Sequence, residues 1–111
     1  MDELLKAISP LVSEELERAN KKFPQFASAH EGFAVLLEEV EEAEENLDTI
    51  SASMVSLWNS IKTDEVRTTH ASVILNQATE LAAEAIQTAA MAKKFLDMMV
   101  AKENERWATS K

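Results

Sequence analysis

Glutamates dominate one stretch of the chain, His30 to Leu47, which reads HEGFAVLLEEVEEAEENL. Seven glutamates stand in these eighteen residues, and no lysine or arginine separates them. At 100° per residue along a helix, Glu38, Glu42 and Glu45 follow one another on one side. Like charges at such spacing repel by about 0.2–0.5 kcal/mol per pair on an exposed helix. Either these acids form a solvated outer face, or a divalent cation binds among them.

A second group of oxygen-bearing side chains, in the stretch ELAAEAIQ, has a matching spacing. Glu80, Glu84 and Gln87 follow one another at intervals of four and three, which places them on one helix face. In an antiparallel helix pair that turns near residue 63, Glu42 lies opposite about residue 84, and Glu39 lies opposite about residue 87. Four or so oxygens from two helices are enough to hold Mg²⁺, with water and a substrate phosphate completing the shell. The alternative is two ordinary solvated faces.

Composition predicts that helices position these acids. The chain has 111 residues, 46% of them hydrophobic, with one glycine and two prolines. So few turn-forming residues exclude a many-stranded fold, and so many apolar residues exclude a disordered acidic tail. We therefore expect an all-α fold in one domain over residues 1–111.

Start signals predict where the first two helices begin. Ser9 is a candidate N-cap with Pro10 at the first helical position, so the preceding DELLKAI is expected to form a turn or two joined through a kink or break. Ser28 and Glu31 fit a capping box for the second helix. Apolar residues then recur at intervals of three and four over about thirty residues.

The letters KTDE mark the end of the second helix, with Thr63 or Asp64 capping a last helix that runs to about residue 105. The two long helices predict an antiparallel hairpin with an apolar seam, which the shorter N-terminal helix covers only in part. A second copy would complete a four-helix-bundle core, so a homodimer or homotetramer is expected. The alternative is a monomeric three-helix bundle.

Charge and composition limit the classes of partner. The net charge is −9, and residues 31 to 48 hold eight acids and no bases, so they supply −8 of it. Nucleic-acid backbones require a basic surface, so no nucleic acid is expected as a partner. No apolar run approaches transmembrane length and the start is acidic, so we expect no membrane contact and a cytoplasmic location. The chain has no cysteine, which excludes disulfides and thiolate metal sites.

The two acidic groups resemble the motifs of a known enzyme family. LLEEVEEAEENL resembles the EExxE element of the all-α nucleoside triphosphate pyrophosphohydrolases, the MazG-like and dimeric dUTPase-like enzymes, and EAIQTAAMAKKF resembles their second element, usually ExxD. Over about residues 26 to 96 the chain is similar to small MazG-like proteins of bacteriophages and prophages. The resemblance implies Mg²⁺-dependent hydrolysis of a nucleoside or deoxynucleoside triphosphate to the monophosphate and pyrophosphate.

The resemblance also implies roles for particular residues. Glu38, Glu39 and Glu42 match the acids of EExxE, and Glu84 matches the first acid of ExxD. Carboxylates of this kind hold Mg²⁺, and Glu38 or Glu39 is the expected general base for the attacking water. Glu80, one turn before Glu84, is a candidate replacement ligand. The expected metal ligands are Glu38, Glu39, Glu42, Glu80, Glu84 and Gln87.

Two departures from the family pattern favour a rival function. The aspartate of ExxD is Gln87 here, and forty-one residues separate Glu42 from Glu84, more than compact members of the family show. The rival is a non-catalytic helical interaction or structural protein of phage origin with a degenerate metal site. Its acids would mimic an anionic ligand or repel wrong partners.

Five further residues are candidates for contact with a triphosphate substrate. Lys93 and Lys94 follow the second motif and are expected to attract the phosphates, the alternative being surface lysines. His30, beside the cap of the second helix, is a candidate for contact with base or phosphate. Phe33 and Trp58 are candidates for stacking on a base, the alternative being core packing.

Overall fold

Three α-helices make up the chain in the computed structural model, which describes residues 1–109. They are α1 (Asp2–Lys22), α2 (Ala29–Lys62) and α3 (Thr68–Thr109). No strand occurs within residues 1–109, so the predicted all-α fold class is confirmed. None of the helices in that range is long and apolar enough to cross a membrane.

Helix α1 is continuous from Asp2 to Lys22 and includes Pro10. The predicted helical turns in DELLKAI are confirmed, whereas a break at Pro10 with Ser9 as the N-cap is wrong. A proline inside a helix removes one backbone hydrogen bond. Here the residues before it are good helix formers, and Asp2 and Glu3 place negative charge in the first turn, where it is favourable. The helix ends in the basic turn that the sequence predicted, and Phe23 follows it in extended conformation.

Helix α2 begins where the capping signal predicted. The Glu31 backbone N–H donates to Ser28 Oγ at 3.2 Å, which satisfies one of the unpaired donors of the first turn. From Ala29 the helix runs for 34 residues, close to the thirty expected. Ser28 is therefore confirmed as the N-cap residue.

The residues expected to cap α3 instead finish α2. Thr63 Oγ1 donates to the Asn59 carbonyl oxygen at 3.0 Å, one of the last carbonyls of α2. Asp64 has a φ of 56°, the left-handed conformation that often follows a helix C-terminus. Because both residues are committed to ending α2, α3 begins only at Thr68, and the predicted cap at Thr63 or Asp64 is wrong.

The helices contribute to two compact units. The first contains residues 1–39 and the chain from Ile86 onward, and the second is Val40–Ala85. Every described residue that is buried lies in the first unit: Phe26, Gly32, Ala90, Lys94 and Met98. The first unit therefore has a small core of its own, built by segments of all three helices.

Gly32 allows helix segments in the first unit to approach closely. A Cβ at this position would lie 2.4 Å from Phe95 Cδ2 and 3.1 Å from Phe26 Cδ2, well inside normal contact distance. The Phe26 and Phe95 rings pack on each other with centroids 6.5 Å apart and an interplanar angle of 54°. The absence of a side chain at Gly32 thus makes room for an aromatic pair.

The second unit is an antiparallel pair of helix segments, 40–62 of α2 and 68–85 of α3. None of its residues is buried. Four apolar residues of α2 recur at intervals of seven and remain exposed by 39–52% of their surface: Val40, Leu47, Met54 and Ile61. We call these four residues the α2 stripe. Two paired segments cover only the strip along which they touch, so the stripe of a single chain stays open to solvent.

Candidate functional site

Two opposed glutamates form the centre of the candidate site in the second unit. Glu42 on α2 and Glu84 on α3 offer carboxylate oxygens within 4.8 Å of each other. This pairing is the register that the sequence predicted from a turn near residue 63. Glu39, one helical turn before Glu42 on α2, offers a third oxygen to the same group. These three acids were expected ligands, and the structure brings them together.

A hydrogen-bonded bridge lies one turn further along the same helix pair. Asn46 Nδ2 donates to Gln77 Oε1 at 2.9 Å and to Glu80 Oε2 at 3.1 Å. One amide group of α2 therefore holds two side chains of α3 and fixes the register in which Glu42 meets Glu84. Glu80, a candidate replacement ligand, is exposed and lies outside the group of three carboxylates.

Burial strengthens the electrostatics of the three carboxylates. One oxygen of Glu39 and one of Glu84, the Oε2 atom in each, are excluded from solvent. Negative charges held this close and partly away from water repel more strongly than on an open surface. A hard divalent cation with oxygen ligands would offset the repulsion, and carboxylates are the ligands that Mg²⁺ prefers. The donor set present therefore fits Mg²⁺.

Two of the other expected ligands are Glu38 and Gln87. Glu38 is exposed on α2 and does not belong to the group of three carboxylates. Gln87 is half-buried and lines a cavity of the first unit together with Glu39. The two residues therefore line the same cavity, and the expectation that Glu39 faces Gln87 stays a prediction.

The two lysines expected to attract phosphate have other partners. Lys93 is exposed and forms an ion pair with Asp97 one turn along α3. Lys94 is buried, its Nζ donates to the Phe23 carbonyl oxygen, and its ammonium lies 4.7 Å from the centroid of the Phe26 ring. Lys94 is therefore placed against the connection between α1 and α2, and its predicted contact with a substrate phosphate stays a prediction.

The aromatic candidates and His30 are accessible. His30 and Phe33 line a small apolar cavity of the first unit together with Phe95, and His30 is exposed. Phe33 is 62% exposed and Trp58 is 58% exposed, so neither forms core in this chain. The Lys62 ammonium lies 5.8 Å from the Trp58 ring, a cation–π contact. Trp58 lies near the end of α2, sixteen residues after Glu42 along the same helix.

A cavity in the first unit contains residues that sequence reasoning did not select. Its volume is about 330 Å³, and Arg18, Lys22 and Phe23 of the α1 end line it. The opposite lining comes from α2 and α3 and includes Glu39 and Gln87. The basic last turn of α1 was visible in the sequence, where it indicates a helix end. Nothing in its spacing relates it to glutamates that follow many residues later.

Comparisons with models of protein families, with curated proteins and with solved structures find no match for this chain.

Proposed function

We propose that the protein is a Mg²⁺-dependent, MazG-like nucleoside triphosphate pyrophosphohydrolase, which converts an NTP or dNTP to the monophosphate and pyrophosphate. The observation that carries the proposal is the meeting of Glu42 and Glu84 from opposite helices, with carboxylate oxygens within 4.8 Å. Glu39 adds a third oxygen from the next helical turn. These residues are three of the four acids that match the two sequence motifs, and the fourth is Glu38.

The residues present have distinct tasks in this reaction. Bound Mg²⁺ supplies charge neutralisation for the phosphate oxygens. Glu42 and Glu84 hold it, while Glu39, with one oxygen shielded from solvent, accepts a proton from the attacking water. The water oxygen bonds to the α-phosphorus, the bond to the bridging β-phosphate oxygen breaks, and pyrophosphate leaves with that electron pair. Glu38 is a weaker candidate for the base because it is exposed and outside the group.

Self-association is part of the proposal. The α2 stripe repeats every seven residues, which is the spacing of a helix–helix seam, and half-buried Ile50 and Leu57 alternate with it at the complementary heptad position. Pairing two copies along this stripe forms the four-helix core that a lone two-helix segment lacks. We therefore expect a homodimer or a homotetramer in which α2 meets its counterpart.

The test is release of pyrophosphate by the pure protein from each of the common NTPs and dNTPs in the presence of Mg²⁺. We expect release from at least one of them, and a fall of 100-fold or more, on the order of the loss from a removed charge-stabilising group, in Glu84→Gln. The matched control is Glu44→Gln, which removes the same charge from an exposed position of α2. No release from any nucleotide, together with no Mg²⁺ binding by calorimetry, would remove the proposal.

The rival function, a non-catalytic helical interaction protein, is favoured by the open α2 stripe and by the neutral Gln87. Thermal melting separates the two functions. A metal site predicts that Mg²⁺ raises the melting temperature of the wild type and has little effect on Glu42→Gln. If Mg²⁺ leaves the wild type unchanged while Glu42→Gln melts higher, the glutamates are only repulsive neighbours, and the rival is correct.

A further inference from the structure

The cavity at the end of α1 has the size and position of a ligand pocket. It lies in the first unit, has a volume of about 330 Å³ and is lined by segments of all three helices. Pockets for small molecules begin at roughly 300 Å³. Two cations, Arg18 and Lys22, and two carboxylates, Glu15 and Glu39, line it together with Phe23, Gln87 and Met91.

Two cations stand on one wall of this cavity. Arg18 and Lys22 are one helical turn apart in α1 and both line the cavity. Arg18 pairs with Glu14 at 4.0 Å and with Glu15, but its side chain remains 66% exposed. The pair with Glu14 is exposed on both sides and weak, whereas Glu15 is only 25% exposed and keeps its contact with Arg18. The guanidinium has five N–H donors, so it can still bind a phosphate oxygen beside Glu15.

The remaining lining suits a flat ring with polar edges. Phe23 is 71% exposed at the rim, so its ring is available for stacking on a planar group. Met91 is half-buried beside it and adds a polarizable apolar contact. The Gln87 amide both donates and accepts hydrogen bonds, which matches the edge of a nucleobase.

We propose that this cavity binds a nucleotide, with the phosphate held by Arg18 and Lys22 and the base stacked on Phe23. The inference rests on the proposed function in one respect, since it names where that enzyme holds its substrate. The neutral Gln87 acquires a role here, because it supplies an amide donor that an aspartate would lack and adds no third negative charge to a lining that already contains Glu15 and Glu39.

The experiment measures binding without metal, so that it does not depend on hydrolysis. The probes are the four common nucleoside monophosphates and inorganic phosphate, titrated into the full chain with EDTA present and followed by calorimetry. We expect at least one monophosphate to bind more tightly than phosphate, and about tenfold weaker binding in Arg18→Ala and in Lys22→Ala, as for loss of a charge-assisted hydrogen bond. Phe23→Leu should weaken the monophosphate and leave inorganic phosphate unchanged.

The matched control is Lys21→Ala, which removes an exposed lysine next to Lys22 that does not line the cavity. It should bind as the wild type does, and the melting temperature of each variant verifies folding. Equal losses in Lys21→Ala and Lys22→Ala would overturn the proposal, as would no binding at millimolar monophosphate. Monophosphate binding in EDTA without hydrolysis in Mg²⁺ would contradict the proposed pyrophosphohydrolase activity and support the nucleotide pocket. Hydrolysis with an unchanged KM in Arg18→Ala and Lys22→Ala would support the activity and contradict the pocket.

Discussion

The ammonium group of Lys94 lies against the backbone and an aromatic ring of the segment that joins α1 to α2. It donates to the Phe23 carbonyl oxygen and lies 4.7 Å from the Phe26 ring centroid. A buried charge is tolerated only where partners replace the lost water. This one side chain of α3 therefore fixes the segment that leads into α2, including Phe26, one of the few buried residues.

Replacing Lys94 by methionine keeps its length and removes its charge. We expect Lys94→Met to lower the free energy of unfolding by about 1–3 kcal/mol, because the Phe23 carbonyl is left without its donor. Urea denaturation measures the change. The control is Lys93→Met, which breaks only an exposed ion pair with Asp97 and should cost less than about 1 kcal/mol. Equal losses in the two variants would contradict the structural role of Lys94.

Asn46 offers a second residue-scale prediction, within the second unit. Asn46→Asp removes the amide that donates to Gln77 and Glu80 and places a negative charge beside Glu80. We expect a loss of about 1–2 kcal/mol in thermal or urea unfolding. In combination with Glu80→Gln, the new amide at position 80 can donate to the new carboxylate at position 46, and the original net charge is restored. The double variant should therefore recover most of the lost stability. If the losses of the two single variants simply add in the double variant, Asn46 and Glu80 are not energetically coupled, and the bridge does not stabilise the helix pair.

At the scale of helices, Gly32 shows how one position controls the packing of two segments. Gly32→Ala improves helix propensity by about 1 kcal/mol, yet its Cβ would overlap the Phe95 ring. We expect the overlap to dominate, with a lower melting temperature and a net loss of about 1–2 kcal/mol. In a Phe95→Leu background the same substitution should cost less or become stabilising. A stabilised Gly32→Ala in the wild-type background would contradict the close approach.

Much of the helical architecture was predictable because its signals are local. Ser28 and Glu31 sit three residues apart, and the register of Glu42 with Glu84 follows from a turn position and the regularity of two helices. The two wrong predictions, a helix break at Pro10 and a cap of α3 at Thr63 or Asp64, concern helix ends, which depend on the helical turns on both sides. Pro10 is tolerated inside α1 because the turns on both sides are helical, and Asp64 ends α2 instead of starting α3.

The candidate pocket was beyond sequence reasoning for a different reason. Arg18 and Lys22 join Glu39 and Gln87 only through tertiary packing, and no periodicity connects residues so far apart in the chain. The same is true of Lys94, whose burial depends on where the α1–α2 connection passes. Sequence patterns identify a face of a helix, but they do not reveal what packs against it.

At the scale of the whole molecule, the exposed surface is large for the mass. The chain has 8308 Å² of accessible surface at 12.3 kDa, whereas a compact monomer of that mass exposes about 6,100 Å². Obligate dimers bury roughly 2,000–5,000 Å² between their two partners. The excess is about 2,200 Å² per chain, and such an interface removes about 1,000–2,500 Å² from each partner, so the two areas are comparable. The α2 stripe supplies apolar residues for an interface of this kind.

Self-association gives the whole-molecule prediction. Sedimentation equilibrium at micromolar protein should yield the mass of a dimer or tetramer for the wild type. Met54→Glu, in the α2 stripe, should shift the mass towards the monomer, because a charge in an apolar seam has no partner. The control, Ala52→Glu, places the same charge at an exposed position of α2 outside the stripe and should leave the mass unchanged. A monomeric wild type would contradict the proposed assembly.

The position of Lys94 has a consequence for chemical labelling. Amine-acylating reagents require an accessible, uncharged amine, and the Lys94 amine is shielded from solvent while it donates to Phe23. Its neighbour Lys93 is exposed and should react quickly. Lys94 should therefore be acylated only when the α1–α2 connection opens, and its acylation rate, followed by peptide mass spectrometry, measures how often that opening occurs. A nucleotide bound in the cavity at the end of α1 should lower this acylation rate.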